Sequence, residues 1–262
     1  RRGAMSKRSI TITASMLRSY KRCPRRFELE YVQNLKPVQT PEALAIGSSY
    51  HDHVEKILTG EQREPSADLP GIMADAFARF LPYQEWGVAK TEQEFEIKLA
   101  YGIRLAGKID ALAADGTPIE HKTTSEALDE RYVEKLAWDD QVALYMLAMG
   151  KGRAIYTACQ KPTIRQKQSE TPEEYLERVR EWYDETRVRT FTVVRSLAEL
   201  EEKRAEIIDL AREIKRRTRW YRNPSDCALM GCQYRSICLD YDPECLMGFV
   251  KKEKRSEELC KF

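Results

Sequence analysis

Between Ile103 and Thr124 the chain reads IRLAGKIDALAADGTPIEHKTT, a stretch that leaves little freedom in how it folds. Leu105, Ile109 and Leu112 give apolar weight to one extended run, Asp115-Gly116 supplies a tight turn, and Thr117 to Lys122 forms the returning run, so a β-hairpin is predicted. Side chains two apart on a strand share a face, which puts Glu120 and Lys122 on one side. Asp110 can face them if the strands pair across the turn. All three are ionisable groups with little reason to be there for packing. Two carboxylates converging at strand ends can hold a hard divalent cation, and a nearby ammonium can stabilise charge on a phosphate or help activate water. The same pattern also fits an exposed hairpin with scattered charge.

The order Asp-x9-Glu-x-Lys, carried here by Gly107-Lys108-Ile109-Asp110 and Glu120-His121-Lys122-Thr123, resembles the active-site signature of the PD-(D/E)XK nuclease superfamily. It is most similar to the RecB-like exonuclease branch. The resemblance implies catalytic roles for Asp110, Glu120 and Lys122, with Mg²⁺ or Mn²⁺ as the cation.

Composition narrows the class without deciding it. The 262 residues carry 44 Lys plus Arg against 42 Asp plus Glu, a formal charge of +2, so any basic footprint for nucleic acid must be local. No apolar run approaches the roughly 20 residues of a membrane span, and no secretory h-region opens the chain, which points to a cytoplasmic protein of a bacterial, archaeal or phage-infected cell. Arg1 to Ala4, ahead of Met5, read as an expression scar. Residues 5–262 are taken as one domain.

Along the chain, Thr13 is predicted to cap a helix carrying Leu17, Tyr20 and Phe27 at helical spacing, with Pro24 ending one helix after Cys23 and starting the next. A second helix runs from Ala43 to Leu58, closed by Gly60. His51 and His53 lie two apart on it and face different ways. The segment Gly71 to Tyr83 is a short helix, and Thr91 to Tyr101 alternates as a half-buried strand with Glu92 and Glu94 on one face. Tyr132 to Gly150 reads as one helix with Trp138, Gln141 and Tyr145 in a stripe. Arg153 to Cys159 is a strand beside the hairpin, Lys161 to Thr171 a basic loop, and Thr171 with Glu174 a capping box for a helix to Thr186. Phe191 to Val194 forms a strand, and Ser196 with Glu199 caps the longest helix, to Arg217.

By resemblance to the same branch, His51, flanked by Gly47 and Glu55, contributes an imidazole to the metal, and His121 contributes its backbone carbonyl. Gln141 and Tyr145 match the Gln-x3-Tyr motif that organises active site and DNA backbone there.

Of seven cysteines, Cys227, Cys232, Cys238 and Cys245 crowd one short polar region, which favours a metal or iron–sulfur site over disulfides. Three thiolates in twelve residues can bind zinc or iron–sulfur, and composition alone gives zinc the edge because structural zinc sites are common. The phrase Leu17-x2-Tyr20-x2-Cys23-Pro24-x2-Phe27 and the run Cys232 to Cys238 resemble the opening and ending of the iron–sulfur RecB-like nucleases, including CRISPR-adaptation exonucleases. That resemblance implies a [4Fe–4S] cluster on Cys23, Cys227, Cys232 and Cys238. Residues 13–32 and 219–245 then form an element joining the two ends of the chain. Four residues separate Cys227 from Cys232 where two are usual, which keeps Cys245 in reserve, while Cys159 and Cys260 are set aside.

The implied fold is α/β (α+β), a restriction-endonuclease-like central mixed sheet flanked by helices. The implied activity is metal-dependent hydrolysis of DNA phosphodiester bonds, by an exonuclease more than an endonuclease. DNA ends or single strands in recombination, repair or replication would be its substrate, with a helicase or recombination protein as partner. A non-catalytic DNA-binding subunit with this fold and a zinc-stapled nucleic-acid-binding module are the alternatives.

Overall fold

The computed structural model describes residues 9–39, 42–61, 66–229, 231–239 and 243–252. The proposed scar and Cys260 lie outside them, as does the side chain of Cys245. In chain order the strands and helices are β1 (Ile10–Ile12), α1 (Ala14–Arg22), α2 (Pro24–Phe27), β2 (Leu35–Pro37), α3 (Glu42–Leu58), α4 (Leu69–Phe80), β3 (Val88–Ala100), β4 (Ile103–Ala113), β5 (Pro118–Thr124), α5 (Glu130–Leu136), α6 (Asp140–Met149), β6 (Arg153–Gln160), α7 (Pro172–Trp182), β7 (Val188–Val194), α8 (Leu197–Arg216), α9 (Pro224–Leu229), α10 (Arg235–Leu239) and β8 (Phe249–Lys251). It is a mixed α/β fold.

Two compact units divide the chain, one made of residues 41–94 and 108–200, the other of residues 1–40, 95–107 and 201–262. In the first, β4 pairs antiparallel with β5, β5 parallel with β6, and β6 antiparallel with β7, a mixed sheet. Alternation along β6 shows how it is covered on both faces. Ala154, Tyr156 and Ala158 pack with Tyr132, Leu136, Val142 and Met146 of α5 and α6. Cys159, facing the other way, joins Tyr50, Val54, Phe77 and Val179 of α3, α4 and α7. In the second unit β1 runs parallel to the start of β4, and β2 pairs antiparallel with β8.

The predicted hairpin is present, with Gly116 at φ +79° in the turn and the Asp115 carboxylate accepting the Thr117 amide N–H at 2.9 Å. Gly107 has a steric reason to be glycine, since a Cβ there would lie 3.0 Å from Cζ of Phe95.

Local chemistry moved three predicted boundaries. The helix expected over Tyr132 to Gly150 is two helices, because the Asp139 carboxylate accepts the Val142 amide N–H at 3.1 Å and starts α6 afresh. Trp138 consequently stands in the break, 85% exposed, and shares no helical stripe with Gln141 and Tyr145. The helix expected to reach Thr186 ends at Trp182, where Tyr183 turns extended and the Asp184 carboxylate binds the Thr186 amide at 2.8 Å. Asp68 caps α4 through the Gly71 amide, so that helix starts at Leu69, and it ends at Phe80, where Leu81 turns extended.

Candidate active site

The ladder between β4 and β5 stops at Ala111–Ile119. One step further, the His121 amide N–H is taken by the Asp110 carboxylate, Oδ2 at 2.7 Å, in place of a backbone carbonyl. The carboxylate thus gives the His121 N–H a partner where the ladder ends, and the residues predicted to carry the chemistry meet there.

Glu120 is 1% exposed and opposes Asp110 there. Its Oε1 accepts from the Lys122 ammonium, as the two-residue spacing requires, while Oε2 is buried with no hydrogen-bond partner. Burial, then the Asp110 charge, pushes the Glu120 carboxyl well up, with Lys122 pulling the other way. For Asp110 burial also pushes up, but the His51 hydrogen bond and the charges of His51, His121 and Lys122 outweigh it and hold that carboxyl down. Two buried carboxyls pushed apart in this way are like charges held at close quarters.

His51 projects from α3 with Nδ1 3.4 Å from Asp110 Oδ1, whereas His53 turns to Asp68 at 3.6 Å, the divergence expected from their spacing. Burial lowers the His51 imidazole, yet the Asp110 hydrogen bond and charge carry it above its usual value. Lys122 also donates to Gln141 Oε1 at 3.1 Å. Gln141 Nε2 donates to the Tyr145 hydroxyl at 2.7 Å, and that hydroxyl donates to the Lys108 carbonyl at 2.7 Å. Burial lowers Lys122, but Glu120 and Asp110 more than restore it, so it stays an ammonium. Of the acidic pair on β3, Glu92 pairs with Lys108 and Glu94 is exposed, and neither joins the Asp110–Glu120 pair.

His121, fully buried against Phe77, shares a hydrogen bond between Nδ1 and the Thr157 hydroxyl at 2.7 Å, and its Nε2 has no partner. Burial lowers the imidazole to about 4, so it is neutral. Thr157 is the residue that sequence reasoning missed. It faces His121 through the parallel β5–β6 register, which no local pattern announces.

Among the described residues no three His, Cys, Asp or Glu side chains stand in ready metal-binding geometry. The donor set nonetheless fits a hard divalent cation. Two opposed carboxylates carry an orphaned buried oxygen, and an adjacent imidazole, an uncommon ligand for Mg²⁺, fits Mn²⁺ better.

A family model of the PD-(D/E)XK nuclease superfamily matches residues 11–239, through this whole site. The chain belongs to that superfamily. A structure from Eubacterium rectale described as a candidate exonuclease is 13% identical to this nuclease and covers 86% of each chain at a TM-score of 0.56. SSO0001 is 18% identical over 79% of each chain, TM-score 0.44. An alkaline exonuclease from Laribacter hongkongensis is 16% identical over 78% of this chain and 90% of its own, TM-score 0.34. No curated protein sequence matches the nuclease. Among its described residues no helix is long and apolar enough to cross a membrane.

In the nuclease's other unit, Cys23, Cys227, Cys232 and Cys238 line one small cavity, although they come from opposite ends of the chain. The Asn223 amide N–H donates to Cys23 Sγ at 3.4 Å, and Arg222 Nε to Cys238 Sγ at 3.3 Å. Cys159 is remote from this group in sequence and packs in the α3–α4–α7 core, with Sγ 3.8 Å from the Met73 carbonyl.

Proposed function

We propose that this nuclease is a metal-dependent deoxyribonuclease that degrades DNA from ends or along single strands. The observation that carries the reading is the buried, partnerless Glu120 Oε2 facing Asp110 beside an ammonium. Asp110, Glu120, His51 and the His121 carbonyl would hold one or two Mg²⁺ or Mn²⁺ ions. When bound there, such an ion supplies neutralisation of the scissile phosphate and a lowered pKa for water. Lys122 is fixed by Glu120 and Gln141 and keeps its proton, so its part is to stabilise charge on the phosphate as it is attacked. Tyr145 and Gln141 hold that ammonium in register with the Lys108 backbone. Thr157 and His121 keep the amide N–H that anchors Asp110 in place.

We further propose that Cys23, Cys227, Cys232 and Cys238 bind a [4Fe–4S] cluster, and that residues 13–32 and 219–245 are the element built around it. The shared cavity and the hydrogen bonds donated to two of the sulfurs support thiolate ligands. Cys245 is the alternative ligand, and zinc the alternative metal. Absorbance near 400 nm in anaerobically prepared protein separates iron–sulfur from zinc.

Exonuclease action follows the motif resemblance, as do a cytoplasmic place in recombination, repair or replication and a helicase partner. A purely DNA-binding role would have no use for the Asp110–Glu120–Lys122 arrangement. The deciding experiment is digestion of end-labelled single- and double-stranded DNA with Mg²⁺, Mn²⁺ or EDTA. Progressive loss from one end in Mg²⁺ or Mn²⁺ and none in EDTA is expected. Intact DNA in every condition, with a folded protein, would overturn the reading.

A further inference from the structure

A cavity of about 470 Å³ opens where β5 and β6 end, and the proposed reaction leaves it unused. Leu128 and Asp129 after β5, Gln160 ending β6, Thr163, Trp182 ending α7 and Arg187 just before β7 line it. That volume suits a small organic ligand.

Its position relates it to the site. The parallel register sets Ala158 beside Lys122 and Gln160 beside Thr124, so Gln160 is two residues along the sheet from the catalytic lysine. At about 3.3 Å per residue this is roughly 7 Å, a distance one nucleotide of an extended strand spans.

The lining chemistry narrows the ligand. The Arg187 guanidinium lies 4.3 Å from the Trp182 ring centroid, held there by Asp184 and the Trp182 carbonyl, and so presents a flat, cationic, preorganised surface. Gln160 offers a carboxamide, and Thr163 and Thr186 offer hydroxyls, able to meet the edge of a planar heterocycle. The one carboxylate in the lining, Asp129, uses Oδ1 to cap α5 through the Tyr132 amide at 3.1 Å. A π-face with polar edges and a neighbouring negative charge describes a nucleotide.

We propose that this cavity is a nucleotide subsite, in which a base of single-stranded DNA stacks beside the Arg187–Trp182 pair, one nucleotide from the scissile phosphate. Its placement relative to the cleaved bond rests on the nuclease reading above. Base binding itself does not.

The test is equilibrium binding of the full chain in EDTA, where no DNA is cut, to a short single-stranded oligonucleotide carrying an abasic residue at each position in turn. One position should cost roughly ten-fold in Kd, the ordinary worth of one stacked base. Ala127→Trp, which fills the cavity from an exposed lining position, should remove that penalty while leaving the other positions unchanged. Arg187→Ala is a second variant that halves the stacking surface and should shrink the penalty. Equilibrium dialysis with free dAMP and with deoxyribose 5-phosphate distinguishes a product site from a strand site. Base-dependent dAMP binding lost in Ala127→Trp assigns the cavity to free product as well, and binding by the oligonucleotide alone assigns it to the strand. No position-specific abasic penalty, or one that persists undiminished in both variants, overturns the subsite. DNA cleavage is scored separately, so an inactive protein that keeps the penalty refutes the nuclease reading and leaves the subsite standing.

Discussion

Glu120→Gln should flatten the pH dependence of stability in the metal-free protein between pH 6.5 and 8. The Glu120 carboxyl is pushed from 4.5 up to about 8, by burial first and by Asp110 second. A raised carboxyl keeps, in the folded state, a proton that the unfolded chain has released. Stability therefore falls as pH rises through that interval. The neighbours act elsewhere or oppositely. Asp110 is held below 3.8, so its stabilisation is complete above 3.8 and is lost only in acid. His121, lowered to about 4, contributes stability that is full above 6.5 and lost as pH falls, which opposes Glu120 below 6.5. His51, raised above 6.5, shares the sign of Glu120 in the window.

From pH 6.5 to 8, one group at about 1.4 kcal/mol per pH unit removes ~2 kcal/mol, or roughly 4 to 8 °C of Tm for a chain of this size. Thermal unfolding of EDTA-treated protein at intervals across the window should show that fall in the wild type and only the His51 share in Glu120→Gln. Mn²⁺ should restore the wild type more at pH 8 than at pH 6.5, since it takes the place of the proton, and should do little for the variant. An equal slope in both proteins would refute the assignment of the buried proton to Glu120.

Lys122→Ala should cut single-turnover cleavage by at least a hundred-fold while changing DNA affinity less than three-fold, because its charge acts on the attacked phosphate and many contacts share ground-state binding. Equal losses would make it a binding residue. Thr157→Val leaves the buried His121 Nδ1 without its partner and should cost about 1–3 kcal/mol in denaturant unfolding, with wild-type stability as the contrary result. Cys23→Ser should lose iron by metal analysis and lower Tm by roughly 10 °C, if closing a loop of about 200 residues is worth ~4–5 kcal/mol as in a disulfide. Cys159→Ser should keep full iron. Full iron in Cys23→Ser would transfer the fourth ligand to Cys245.

Much of the site was legible because its signals are local. A two-residue period places Lys122 on Glu120, a four-residue helical step places Gln141 on Tyr145, and an Asp-Gly turn brings β5 back on β4. What was not legible depends on competition or on distance. The run from Tyr132 to Gly150 has helical periodicity throughout, and only the carboxylate of Asp139, which prefers the N-cap to the helix interior, divides it. Thr157 and the lining of the β5–β6 cavity are brought together by a parallel register, which lies beyond any sequence window. The four cysteines were readable as a spacing pattern, but their shared cavity joins residues about two hundred positions apart.

The same physics explains why Asp110 sits where it does. Within a continuous antiparallel pair, its β-carboxyl would be a poor strand residue and the His121 N–H would go to a backbone carbonyl. Here the carboxylate takes that N–H where the ladder ends, and the neighbouring Glu120 Oε2 is buried without a partner. That side-chain-for-backbone exchange stands where the ladder ends, beside the uncompensated Glu120 oxygen that a cation would satisfy. Asp110→Asn can still accept the His121 N–H through its amide oxygen, so that contact should persist. The charge opposing Glu120 is gone, and the Glu120 carboxyl should drop back toward its usual range. Titration of Glu120 by carboxyl-labelled NMR reads this directly. A Glu120 that stays as high in Asp110→Asn as in the wild type would mean that burial alone sets it, and that the two carboxylates do not share a site.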